Sequence, residues 1–233
     1  VMSLPSAFTL DNIKNVFHDM KYPATFLNTL IATVIGTLGI IVIASMGGYK
    51  MARVKTRYSR FCFLFCIAPM MIPFQSFMLT LVNVATTLHI NGKIWGLAII
   101  YWGLGAPMSI FLYQGFAKGI PLELEESALI DGCNQFQLFT RIIFPMLKSC
   151  TATVTIINVM WIWNDFLLPL LMLGGRKSSK TLQLAAYSFM GQYKMEWQNI
   201  MSAAILIIIP ALILYLIFQK SIIKGVVAGA VKG

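Results

Sequence analysis

Charge is what this sequence has least of. Only 11% of its 233 residues are Asp, Glu, Lys or Arg, where a soluble domain carries about a quarter. Acids are the scarcer sign, 8 against 18 Lys plus Arg, giving a formal charge of +10. With 58% hydrophobic residues and a mean hydropathy of +0.77, an ordinary soluble domain is excluded and a bilayer is implied. A basic balance often signals nucleic acid. Here the cations sit at the ends of apolar runs, so orientation in a membrane explains them and no nucleic-acid partner is expected.

Metal-binding and catalytic side chains are also sparse. His18 and His89 stand alone in polar connectors. Cys62 and Cys66 share a helix face at i,i+4, yet no His or carboxylate accompanies them, so they read as small buried apolar residues. Neither a Ser-His-Asp arrangement nor a glycine-rich phosphate loop is visible. Nothing points to an enzyme, a catalytic residue, a metal or a cofactor bound by this chain.

Long apolar runs are abundant. Residues 26–49, 61–83, 94–116, 151–173 and 200–218 each approach or exceed the roughly 20 apolar residues that a span requires. Pro69 and Pro73 in the second run and Pro210 in the fifth predict kinks within spans, and the third contains Gly103, Gly105 and Pro107. The connector after the first run carries Lys50, Arg53, Lys55, Arg57 and Arg60 with no acid, so it is expected inside the cell. Residues 117–150 and the tail, 220–233, then also lie inside. Residues 1–25 lie outside and lack the pattern of a signal peptide. The expected arrangement therefore includes a first span preceding this sequence, giving six with both ends cytoplasmic.

One polar interval stands out. Glu123, Glu125, Glu126 and Asp131 fall within nine positions of the connector 117–150. Pro121 suits the first turn of a helix, and the glutamates favour its N-terminal dipole. Gly132 permits a turn and Asp131 can cap a second helix, expected from residue 133 towards 143 and ending before Pro145. Ala128, Gly132 and Phe136, four apart, could share a face if the break is mild. A helix lying on lipid would present Lys and Arg; acids fit a docking element for a basic partner better.

Here the residues carry a resemblance. Glu126-Ser127-Ala128, two residues, Asp131-Gly132, nine residues, then Ile142-x-Phe144-Pro145 resembles the EAA loop of ABC-importer permeases. Ser127 and Phe144 depart from the family's Ala and Leu, keeping general size or apolarity. "SLPSAFTLDN" near the start, "WNDFLLPLL" from Trp163, "TLQLAAYSFMGQY" from Thr181 and "VVAGAVKG" at the end extend the resemblance over nearly the whole chain. They are similar to the G-type permease of carbohydrate importers, the maltose and oligosaccharide group. The resemblance implies an all-α, multi-pass protein of the bacterial cytoplasmic membrane, with a permease domain over residues 26–219. It implies four partners: a cytoplasmic ATPase dimer holding ATP and Mg, a second homologous permease, an external sugar-binding protein and the lipid bilayer. Its loop residues Glu125, Glu126, Ser127, Ala128, Asp131, Gly132 and Pro145 would couple to the ATPase, with Glu126 pairing to it, Gly132 allowing the turn and Pro145 stopping the second helix.

Asp165, in "WIWNDFLLPLL", is the single ionisable residue within an apolar run. Such a carboxylate marks a functional site by default. With Trp161, Trp163 and Asn164 it could line a wet sugar pathway, or it could cap a helix break near Pro169; both readings stand. Met70, Met71 and Met78 are expected to pack, and Asn28, Gln75 and Asn83 to bond neighbouring helices. By resemblance, Tyr187, Gln192 and Tyr193 of the outer loop would touch the binding protein; a surface loop anchored by interfacial aromatics is the plainer alternative. The small-residue tail either contacts the ATPase or is disordered. An oligosaccharide is the expected cargo, with a polyol or glycerol phosphate as alternative. A secondary transporter working without ATP would want more intramembrane charge than Asp165 alone.

Overall fold

The structure, a computed structural model, describes residues 10–175, 179–190 and 196–230. Every element in them is helical. A short α1 (Asp11–Asp19) leads through Lys21, whose φ of 49° is left-handed, into the long α2 (Tyr22–Arg53). A pair follows, α3 (Arg57–Ile67) and α4 (Phe74–Thr87), then the long α5 (Ile94–Lys118). The acidic interval forms α6 (Leu122–Ile130), α7 (Gln135–Leu138) and α8 (Phe144–Met146). The chain closes with α9 (Lys148–Asn164), α10 (Leu167–Leu173), α11 (Leu182–Tyr187) and α12 (Trp197–Ala230).

With 32 residues α2 is about 48 Å long at 1.5 Å per residue, and α5, with 25, about 37 Å. Both exceed the hydrocarbon core of roughly 30 Å. Among the described residues these two helices are long and apolar enough to cross a membrane, and the number rises to four if each of two bent pairs counts as one span. The expected first and third spans therefore form unbroken helices, Pro107 included. The fifth expected run lies within α12, whose helical backbone continues to Ala230, so most of the tail prolongs the last helix.

The second expected span needs correction. Its sequence predicts a kinked but continuous helix; instead α3 and α4 meet at 107°, joined by a 3₁₀ turn at Ala68–Met71. Pro69 and Pro73 supply no backbone N–H, and Ile72, the residue before Pro73, is forced to an extended φ/ψ of −100°, 121°. The fourth run also breaks. Asp165 is extended, at −70°, 134°, separating α9 from α10.

Small residues bring α2 and α5 together. A Cβ added at Gly48 would lie 2.9 Å from the backbone N of Gln114 and 3.0 Å from the carbonyl O of Ile110. At Gly39 it would run into the Trp102 indole, which donates to the Ile35 carbonyl at 2.9 Å. Close backbone approach of this kind substitutes in lipid for the missing hydrophobic drive between helices. Polar side chains join α5 to the α9–α10 segment: Tyr113 donates to Thr151 (2.9 Å), Asn158 to Ser109 (3.1 Å) and Tyr101 to Asp165 (2.8 Å). On α2, Asn28 donates to the Lys180 carbonyl and Thr29 accepts from the Leu182 N–H. Asn28 thus holds a connector segment in place.

Gly48→Val should overpack this contact and lower stability by about 1–3 kcal/mol. Gly115, whose added Cβ would meet nothing within 4 Å, supplies the comparison as Gly115→Ala. Thermal unfolding in detergent should show a lowered midpoint for Gly48→Val and little change for Gly115→Ala.

Candidate functional site

The acidic interval is a folded turn of two limbs. Pro121, extended at φ −58° and ψ 138°, occupies the cap position of α6, one place before the first helical turn. The helix ends at Asp131, and Gly132 follows at φ +85°. Its N–H bonds the Leu129 carbonyl (3.1 Å) while Cys133 N–H bonds that of Ala128 (3.0 Å), the closure that favours a left-handed glycine. Asp131 does not cap the second limb. Asn134 does, accepting from Gln137 N–H (2.9 Å) while the Gln137 side chain accepts from Asn134 N–H (3.0 Å). The reason is distance along the chain: Asp131 still terminates α6.

Pro145 does not stop the second limb either. A wide π turn at Phe139–Ile143 precedes it, and the bend falls at Leu147, between Gln135–Met146 and Lys148–Asn164, at 75°. In a regular helix the Pro145 ring would clash with the carbonyl four residues back; the widened turn moves that carbonyl aside.

The acids divide. Glu123, Glu126 and Asp131 are exposed, as are Ser127 and Gly132. Glu125 is 8% exposed and Ala128 4%. Glu125 is therefore absent from the outer face, because its carboxylate is occupied inside. Arg53 Nε donates to Oε1 at 2.5 Å, and the Tyr49 hydroxyl donates to Oε2 at 2.8 Å. Arg53 Nη2 also donates to the Ile120 carbonyl at 2.8 Å. The expected shared face of Ala128, Gly132 and Phe136 does not form, since Gly132 reverses the chain; Phe136 and Ile130 project instead, 70% and 86% exposed. Sequence reasoning missed Arg53, Tyr49 and Ile130. In the sequence Arg53 is one of five loop cations, and nothing in the pattern separates it from its neighbours.

A second place gathers candidates. Where the α3–α4 break faces the α9–α10 break, a cavity of about 360 Å³ is lined by Ile72, Gln75, Trp161, Asp165 and Leu168, among others. Asp165 Oδ1 accepts from Leu167 N–H at 3.1 Å and Oδ2 from the Tyr101 hydroxyl, so the carboxylate both caps the break and borders the cavity. Trp161 packs edge-on against Tyr101 at 5.3 Å. The other two sequence candidates lie elsewhere. Trp163 is buried edge-on against Phe26, its carbonyl accepting from Gln183, and the Asn164 amide donates back to the Met160 carbonyl. Gln75, expected to bond a helix, faces the cavity. Tyr187 packs on Phe166 at 5.0 Å and remains half exposed. Gln192 and Tyr193 lie outside the described residues.

Arg53→Ala leaves Glu125 buried and unpaired, which costs about 3–5 kcal/mol. Glu126→Ala, on the exposed face, should change stability by no more than about 0.5 kcal/mol. Paired thermal unfolding of the two variants checks this contrast.

Residues 36–227 match the family model described as the binding-protein-dependent transport system inner membrane component. The chain is 39% identical to the probable starch degradation products transport system permease protein AmyC of Thermoanaerobacterium thermosulfurigenes, over 99% of this chain and 84% of that protein. It is 38% identical to the multiple sugar-binding transport system permease protein MsmG of Streptococcus mutans, over 99% and 83%. The melibiose/raffinose/stachyose import permease protein MelC of Bacillus subtilis is 32% identical, over 98% and 83%. Among solved structures, a bacterial ABC transporter that imports the acidic polysaccharide alginate superposes with a TM-score of 0.77 at 22% identity, covering 94% of this chain and 82% of that one. The MetNI methionine ABC transporter follows at 0.62 and 12%, covering 94% and 99%. These two likenesses establish a shared fold. The family match over residues 36–227 and these relatives carry the conclusion: this chain belongs to the binding-protein-dependent transport system inner membrane components, a family of transport permeases and not of enzymes.

Proposed function

We propose that this chain is the sugar-translocating permease subunit of an ATP-driven importer of the bacterial inner membrane, with an oligosaccharide as cargo. The observation that carries the substrate class is the cavity between the two helix breaks. Discontinuous helices at membrane depth are where transporters place substrate sites. This one is lined by the Trp161 indole, the Asp165 carboxylate and the Gln75 amide. Rings stack on sugar faces, and carboxylates and amides accept and donate to hydroxyls. The printed names of relatives for starch degradation products and for melibiose, raffinose and stachyose support the same class. Asp165 already accepts two hydrogen bonds, which suits fixed polar recognition better than the proton or ion coupling of a secondary transporter.

That reading assigns the working parts. Residues 26–219 form the permease domain, and residues 117–150 the cytoplasmic loop that seats in a partner ATPase, one of a dimer that binds ATP and Mg. Glu126, Ser127, Asp131 and Gly132 form the polar docking face, with Ile130 and Phe136 as apolar knobs beside them. Pro145 shapes the second limb behind that face. A second homologous permease completes the pathway, residues 1–25 lie on the outer side, and the loop bearing Tyr187, Gln192 and Tyr193 faces an external binding protein. The tail, 220–233, lies on the ATPase side. Closure of the ATPase pushes the loop, the spans rock, and the cavity turns outward to receive sugar.

The first test is gentle extraction of the tagged protein from its own membranes. An ATPase and a second permease should come with it in stoichiometric amounts; recovery of the chain alone, under conditions that preserve a known ABC complex, would overturn the reading. Glu126→Ala or Gly132→Val should weaken ATPase association by roughly tenfold or more, the scale of a truncated interface anchor, with membrane insertion intact. Trp161→Ala should raise the sugar concentration for half-maximal uptake by roughly two- to tenfold, as loss of one aromatic stacking partner implies. An uptake panel of raffinose, maltotetraose, glycerol and glycerol phosphate identifies the cargo. Preference for either of the last two would transfer the cavity to a smaller solute.

A further inference from the structure

Motion of the loop must reach the spans, and the covalent route is a poor one. The loop joins α5 through Gly119 and Ile120, and joins α9 through the 75° bend at Leu147. Both joints are turns. The span α2 is not joined directly to the loop; Arg53 and Glu125 are 72 residues apart. Yet the last turn of α2 touches both limbs. Tyr49 reaches the first limb through Glu125, and its ring lies 5.7 Å from Phe139 in the second. Arg53 donates from Nε to Glu125 and from Nη2 to the Ile120 carbonyl, while its guanidinium sits 5.8 Å over the Tyr49 ring.

We infer that the Arg53–Glu125–Tyr49 cluster is the linkage that passes loop motion to α2, with Arg53 and Tyr49 as positioning residues for transport. This rests on the importer reading above. The cluster is built for direction and not merely for adhesion. The Arg53 and Glu125 side chains are nearly buried, at 13% and 11% exposure, where well-packed apolar residues would serve stability equally well. Two nitrogens of one rigid guanidinium on two acceptors fix the orientation of α6, which a single contact or a Lys would not. The far end of the route is also defined. Along α2, Gly36 abuts Tyr101, whose hydroxyl holds Asp165 at the cavity between the helix breaks. A push on the loop is therefore delivered to the span that backs the residue bordering the cavity.

The test uses the complete importer, purified with its ATPase and second permease and placed in vesicles with its binding protein. Raffinose or maltotetraose is the probe, whichever the wild type accumulates. Three variants are compared: Tyr49→Phe, Arg53→Met made together with Glu125→Gln so that no buried charge is left unpaired, and Arg53→Lys. Lys55→Met, at an exposed neighbouring cation, is the control. The expected result is normal assembly and ATP turnover with fewer sugars moved per ATP. The double variant should lose roughly tenfold, within the range by which altered linking residues change coupling. Arg53→Lys should recover part of that loss, and Lys55→Met should match the wild type. Wild-type sugar per ATP in assembled Tyr49→Phe and in the assembled double variant overturns the linkage. So does failure of all three variants to assemble while Lys55→Met assembles, since the cluster would then be a folding element. If the wild type itself brings no ATPase, the importer reading falls first and the linkage with it.

Discussion

The close approach of α2 and α5 is the contact on which the rest is arranged. Inside a bilayer, lipid tails are as apolar as leucine, so burial alone does not drive one helix onto another. Gly39 and Gly48 remove the side chains that would hold the two backbones apart. The Trp102 indole and the Tyr113 Cβ then lie against the α2 backbone. Once α2 and α5 form one unit, α5 presents Tyr101, Ser109 and Tyr113 to the α9–α10 segment, and each makes a hydrogen bond there. Buried polar bonds set register where apolar surfaces would slide.

Against this regular pair, the broken segments acquire a purpose. Backbone polar groups at membrane depth must be satisfied inside the protein, and a helix break is tolerated where side chains or a cavity take them up. At the α9–α10 break the Asp165 carboxylate accepts the Leu167 N–H. At the α3–α4 break, two prolines reduce the number of donors that need partners. The breaks face each other across one cavity, so irregularity is concentrated around the space proposed above for the cargo. Capping and lining are thus two consequences of one residue's position.

The acidic turn shows the same economy. A short loop carrying several carboxylates would drift unless tied to the body. One carboxylate, Glu125, is turned inward to Arg53 and Tyr49, and this leaves Glu123, Glu126 and Asp131 outward on a surface of defined orientation. The docking role proposed for this turn would need that rigidity, because a push is transmitted only by a surface that does not yield.

Class, helical architecture and family were legible in the sequence, since each rests on a signal that accumulates along the chain: hydropathy over twenty residues, cations at span ends, motifs at fixed spacing. The first and third spans, the turn at Gly132 and the location of the polar loop follow from local chemistry of this kind. Other features depend on partners far away in sequence. Whether Asp131 or Asn134 caps the second limb is decided by where α6 ends, and Asn134 takes that role. That Trp161 meets the cavity while Trp163 packs on Phe26 depends on helix rotation fixed by neighbouring helices. Among four acids of one stretch, the inward one is Glu125 because a guanidinium 72 residues earlier stands opposite it. The sequence by itself determined that the chain is built from long apolar helices and which residues are polar enough to act. Only tertiary structure decided which of them face one another, because pairing of side chains depends on how whole helices meet in space.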